Sequence, residues 1–114
     1  MPKLSYFEFY GKAEASRQAF TIAGVAFEDI RVSGDAWKEL KASGNLEFGS
    51  VPMLELDDGT RLSQSMPILR YICKAFGGDK ITQGGDALAE WNADSLVAFW
   101  NDDFIGKIIE PKLI

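Results

Sequence analysis

Residues 51–72 read VPMLELDDGTRLSQSMPILRYI. The first six, Val51 to Leu56, are apolar enough to form a strand. Asp57-Asp58-Gly59 then supplies a turn, because Asp-Gly between two apolar runs favours the backbone twist of a hairpin. Thr60-Arg61-Leu62 forms a short returning strand. Ser65 opens a helix through about Phe76, in which Ile68, Leu69, Ile72 and Phe76 repeat at helical spacing. Pro67 falls in the first turn, where a missing N–H costs little, and Gly77-Gly78 ends the run. A hairpin followed by a helix is the second half of a mixed sheet covered by helices.

The chain before this stretch supplies the first half. Residues 3–9 (KLSYFEF) alternate and predict a buried strand that Gly11 ends. From Ala13 to Ala23 the pattern is helical, with Ala15, Ala19, Phe20, Ile22 and Ala23 as an apolar stripe and Gly24 as the stop. Residues 27–32 (FEDIRV) predict a second strand. Asp35 is expected to cap a short helix running to about Ala42. The order is β-α-β-α-β-β-α, an α/β fold.

Residues beyond it change character. Gly78 to Gly85 is polar and rich in glycine and is expected to be a linker. Asp86 to about Glu110 predicts one long helix ended by Pro111. Its apolar residues, from Leu88 and Trp91 through Phe99 and Trp100 to Ile109, span too wide an arc for an ordinary surface helix. Leaving them bare makes a patch prone to association. The expectation is a chain that continues further, or one that docks to a partner through residues 88–109.

Composition removes several kinds of chemistry. The 114 residues contain no histidine, which excludes Ser-His-Asp and Cys-His nucleophilic sites and imidazole-bound zinc. One cysteine, Cys73, excludes an internal disulfide and a CxxC motif. A net charge of -5 without a basic cluster argues against nucleic acid as a partner. No apolar run approaches the ~20 residues that span a bilayer, and Glu8 interrupts the start where a signal peptide is apolar. The expected compartment is reducing and cytoplasmic.

Four local features carry possible chemistry, each beside a plainer reading. Tyr6 ends the first strand, where a phenol can donate to an anion and lower the pKa of a ligand thiol; a tyrosine packed in a sheet is the plainer reading. Val51-Pro52, if cis, turns the Val51 backbone outward for an extended ligand; an edge-strand proline is the alternative. Gln64-Ser65 begins the third helix, whose N–H groups suit a carboxylate; Ser65 acting only as a cap is the alternative. Trp37 and Lys41 share a helix face and can both reach a carboxylate; an inward-packed Trp37 is the alternative. Cys73, in mid-helix among apolar neighbours, reads as a core residue. Asp102 and Asp103 can attract a cation or an amine, or simply form a solvated face.

Taken in order, these pieces resemble one family. Tyr6-Phe7, Gly11-Lys12-Ala13-Glu14, Trp37-x-x-x-Lys41, Phe48-Gly49-Ser50-Val51-Pro52-Met53-Leu54 and Leu62-Ser63-Gln64-Ser65-Met66-Pro67-Ile68 are similar to the N-terminal domain of cytosolic glutathione transferases, the sigma class above all. The likeness covers residues 3–77 and continues more weakly through 86–110. It implies a thioredoxin-like domain over 1–77, a linker over 78–85, and over 86–114 the first helix of an otherwise missing all-helical domain.

The resemblance also implies glutathione as co-substrate, no resident metal, a small electrophile as second substrate, and a homodimer. Tyr6 would activate the thiol. Val51, beside a cis Pro52, would pair with the cysteinyl unit. Gln64 and Ser65 would hold the γ-glutamyl carboxylate. Trp37, Lys41 and Lys12 would complete the glutathione site, and Asp102 of a second copy would approach the γ-glutamyl amine. Lys12 stands where the family usually has arginine, which removes a fork of donors. Ser50 and Pro67 also depart from the usual pattern. The implied activity is conjugation of glutathione to an electrophile in detoxification. The alternative is a non-catalytic, transferase-like module of a larger assembly.

Overall fold

The computed structural model describes residues 1–77 and 87–99. Its elements are β1 (Lys3–Phe7), a 3-10 turn (Gly11–Ala13) leading into α1 (Glu14–Ala23), β2 (Glu28–Val32), α2 (Gly34–Ala42), β3 (Met53–Glu55), β4 (Arg61–Ser63), α3 (Ser65–Ile72) and α4 (Ala87–Ala98). The four strands form one sheet in the order β2-β1-β3-β4. β1 runs parallel to β2, with Tyr6 opposite Arg31 and Phe7 opposite Val32. β1 and β3 are antiparallel, Ser5 facing Met53, and β3 and β4 form the hairpin, Met53 facing Ser63. This is the expected mixed-sheet, thioredoxin-like arrangement.

α1 and α3 pack against each other over the sheet. Their core contains Leu4, Tyr6, Ala13, Phe20, Leu54, Ile68 and Ile72. Phe20, with no exposed surface, stacks on Phe27 at 4.7 Å and lies 5.6 Å from Phe76. Full burial of a side chain of this size contributes about 1.5–3 kcal/mol. α2 buries no residue completely. It is tied to the sheet through Trp37, whose ring meets Phe7 edge-on at 4.9 Å.

Several expected boundaries move, each for a physical reason. β1 stops at Phe7 rather than continuing to residue 9, because the carbonyls of Phe7, Phe9 and Tyr10 all accept from the Arg17 guanidinium instead of joining a ladder. The buried face of α1 is Ser16, Arg17, Ala19 and Phe20; Ile22 is exposed, lying two residues from Phe20 and so on the other side of the helix. α2 begins at Gly34, with Ser33 rather than Asp35 at the cap position. β3 starts at Met53, since Pro52 has no N–H for the ladder. β4 is displaced by one residue to 61–63. α3 keeps α-helical bonding only to Ile72 and widens into a π-turn over Cys73–Gly77. Gly24 closes α1 in the left-handed conformation, as expected (φ 73°). The linker at 78–85 and the helix beyond residue 99 lie outside the described residues; within them, Ala87–Ala98 is helical.

Candidate glutathione site

Sheet topology brings the expected residues to one end of the molecule. Tyr6 lies near the C-terminal end of β1. Its neighbour β2 ends at Val32 and leads into α2, which carries Trp37 and Lys41. On the other side β3 begins just after Val51-Pro52, and β4 ends at Ser63, just before Gln64 and Ser65. One strand entering and three leaving place all these residues along a single edge. The carboxyl ends of strands are where open α/β sheets bind ligands.

Tyr6 is 3% exposed, and its hydroxyl oxygen accepts the backbone N–H of Lys12 at 3.1 Å. A hydroxyl that accepts a hydrogen bond is polarised toward donating one. The turn that delivers this N–H requires Gly11, which has φ +42°. A Cβ there would lie 2.7 Å from Tyr6 Cε2 and closer still to the hydroxyl. Phe9 meets the Tyr6 ring edge-on at 5.4 Å, and Phe7 lies 5.4 Å from it on a tilt. Lys12 therefore enters the site through its backbone.

Pro52 is buried, Val51 is half-buried, and the bond between them is cis, as the resemblance implied. Gln64 is exposed and has φ 77° and ψ 124°, the one positive φ outside glycine among the described residues. Such a conformation costs of order 1–3 kcal/mol and is kept where the surroundings or function demand it. Gln64 rather than Ser65 occupies the cap position of α3, and its side chain makes no capping hydrogen bond. Ser65 is the first helical residue. Pro67 has no N–H, so the donors of this first turn are those of Ser65 and Met66.

Trp37 and Lys41 do share a face, with Lys41 Nζ 5.8 Å from the centre of the indole. Trp37 is half-buried against Phe7, which is the packing alternative, while Lys41 is exposed. Cys73 is half-buried, and burial pushes its thiol pKa up, so it remains protonated at neutral pH. Asp102 and Asp103 lie outside the described residues. Among the described residues no three carboxylate or thiol groups cluster as metal ligands, and no helix is long and apolar enough to cross a membrane. A groove of about 410 Å³, bordered by Pro2, Leu56, Asp57, Tyr71 and Phe76, lies at the opposite end of the sheet and shares no residue with this site.

Sequence reading missed Arg17. Its position was visible, since Ala13, Arg17 and Phe20 follow the i, i+4, i+7 spacing of one helix face. A charged residue was simply not expected there.

Comparison with known proteins places the fold in a family. Residues 2–74 match the family model described as glutathione S-transferase, N-terminal domain. The chain is 47% identical over 75 residues to the probable glutathione S-transferase 9 of Caenorhabditis elegans, covering 66% of this chain and 35% of that protein. It is 38% identical over 103 residues to the hematopoietic prostaglandin D synthase of Gallus gallus, covering 90% of this chain and 48% of that one. The crystal structure of monomeric Na-GST-3, a glutathione S-transferase of the hookworm Necator americanus, superposes with a TM-score of 0.76 at 40% identity, over 98% of this chain and 50% of that one. The chain thus spans half or less of the length of these relatives. With the family model matching well over half of its residues, this chain belongs to the glutathione S-transferase family, and its residues 2–74 correspond to that family's N-terminal domain.

Proposed function

We propose that this chain binds glutathione along the edge formed by Tyr6, Val51-Pro52 and Gln64-Ser65 and activates its thiol for attack on an electrophile. The observation that carries this reading is the Tyr6 hydroxyl, buried and aligned by the Lys12 N–H. A donor held in this way stabilises the thiolate without reorganising during the reaction. A free thiol has a pKa near ~8.5, and each unit by which it falls corresponds to about 1.4 kcal/mol.

The other residues position the ligand. Gln64 and the first turn of α3 receive the γ-glutamyl carboxylate, where backbone donors and the helix dipole favour an anion. The Val51 backbone pairs with the cysteinyl unit, and Trp37 with Lys41 receives the glycine carboxylate. Residues 1–77 form the glutathione-binding domain, and the helix Ala87–Ala98 belongs to a second domain.

A second reading has its own support. Leu88, Trp91 and Phe99 are 70%, 64% and 57% exposed. A partner that covers this face, whether a second copy or another protein, is compatible with a chain that binds glutathione without turnover.

Calorimetric titration of glutathione into the purified chain tests the proposal. Binding is expected, and Gln64→Ala combined with Ser65→Ala is expected to weaken it at least tenfold, the loss of about 1.4 kcal/mol of charge-assisted hydrogen bonding. A folded chain that takes up no glutathione refutes the reading.

A further inference from the structure

We propose that Arg17 is a positioning residue for Tyr6: its buried guanidinium gathers the carbonyls of the turn after β1 and so sets the backbone that brings the Lys12 N–H to the Tyr6 oxygen. This inference rests on the reading of Tyr6 as the thiol's hydrogen-bond donor.

Arg17 is 5% exposed. A buried charge must be paired and hydrogen-bonded to persist, and here nearly every donor is used. Nε donates to Asp29 Oδ1 at 3.1 Å, Nη1 to the carbonyls of Phe9 at 3.1 Å and Tyr10 at 3.4 Å, and Nη2 to the carbonyl of Phe7 at 3.4 Å. The guanidinium carbon lies 5.8 Å from the centre of the Tyr6 ring. The charged groups around it are Glu14 on its own helix, 3.8 Å from Nη1, Asp29 on β2, and Arg31, which shares Asp29 through an Nε contact of 3.1 Å.

The three carbonyls belong to the segment that joins Tyr6 to Gly11. The Tyr10 carbonyl also accepts the Glu14 N–H at 3.0 Å, so Arg17 ties the end of the turn to the start of α1. Gly11 and Lys12 follow at once, and their geometry decides where the Lys12 N–H points. Arg17 thus holds Tyr6 from two sides, by its charge beside the ring and by the turn that supplies the hydroxyl's partner. A lysine keeps the charge but cannot serve four acceptors from one planar fork.

The test uses the full 114-residue chain with Arg17→Lys, Tyr6→Phe and Asp29→Asn. Two quantities are read: hydrogen exchange at the Lys12 amide, which needs no ligand, and the pH midpoint of thiolate absorbance for bound glutathione. In folded Arg17→Lys, Lys12 exchange is expected to rise toward its rate in Tyr6→Phe. The midpoint is expected to climb by about one unit, a tenfold change in the thiol's equilibrium. Unchanged Lys12 exchange overturns the proposal. So does faster exchange with an unmoved midpoint, provided that Tyr6→Phe moves it, because Arg17 is then only a structural staple. If Tyr6→Phe leaves the midpoint unmoved, the reading of Tyr6 fails, and Lys12 exchange alone decides whether Arg17 sets the turn. If Arg17→Lys does not fold, Asp29→Asn takes its place: faster Lys12 exchange supports the proposal and unchanged exchange overturns it.

Discussion

Gln64 holds a positive-φ backbone conformation that glycine tolerates better than glutamine. Its exposed side chain makes no capping hydrogen bond that would offset the strain. The strain is intelligible if the side chain and the adjoining amides serve a ligand. Gln64→Gly is therefore expected to raise stability by about 1 kcal/mol and to weaken glutathione binding. Thermal melting and titration of the same sample read the two effects. A variant that loses stability, or one that binds as tightly as the parent, contradicts this account. Tyr6 shows the complementary case, in which a buried aromatic is both a core residue and a polar group. Its ring packs among Phe7, Phe9 and Arg17 while its oxygen meets the Lys12 amide.

At the scale of elements, the turn of the β3–β4 hairpin is held by local hydrogen bonds. The Leu56 N–H donates to the Thr60 carbonyl at 2.8 Å, and Asp58 Oδ1 accepts the Thr60 N–H at 2.9 Å. The backbone and side-chain hydrogen bonds from Thr60 hold the Asp58 carboxyl below the usual aspartate range. A carboxylate with a lowered folded pKa contributes stability at pH above its unfolded value, and that contribution fades as pH falls through the lowered one. The Thr60 amide resonance is thus expected to titrate with Asp58, with a midpoint below that of an unstructured aspartate. Asp58→Asn should abolish the transition. A midpoint at or above the ordinary value would show that the turn does not favour the ionised form. The Arg70–Asp94 pair joining α3 to α4, with its shortest contact at 2.9 Å, is different: both side chains are about half exposed, so it contributes about 1 kcal/mol at most.

For the whole molecule, the question is what covers α4. Leu88 and Trp91 stand out from the helix together with Phe99 just beyond it, and contact with a second copy would remove them from water. The chain is expected to sediment as a dimer at micromolar concentration, and Trp91→Glu to sediment as a monomer, because a charge cannot be buried unpaired in such a contact. A monomeric parent would count against self-association and leave another protein, or a further segment, to cover the face. The measurement is informative because the hookworm relative with the same fold is described as monomeric.

Most of the element order was legible because its signals are local. Asp57-Asp58-Gly59 turns the chain whatever surrounds it, Gly24 accepts a positive φ, and the period of Ile68, Leu69 and Ile72 marks one helix face. The residues proposed to hold glutathione were singled out through resemblance, since each alone has a plainer structural reading. What only the tertiary structure decided is non-local. The four acceptors that bury Arg17 lie seven to twelve residues away along the chain, one at the end of β1, two in the turn after it and one on β2. With Arg17 they span residues 7–29, more than the roughly 11–18 residues over which periodicity is read. The early end of β1, the exposure of Ile22 and the strained backbone of Gln64 likewise follow from which groups meet once strands and helices are packed. The sequence by itself determined the order of elements and the residue types at the site; packing decided which backbone groups hold Tyr6 in place, because hydrogen bonds and burial depend on distance in space.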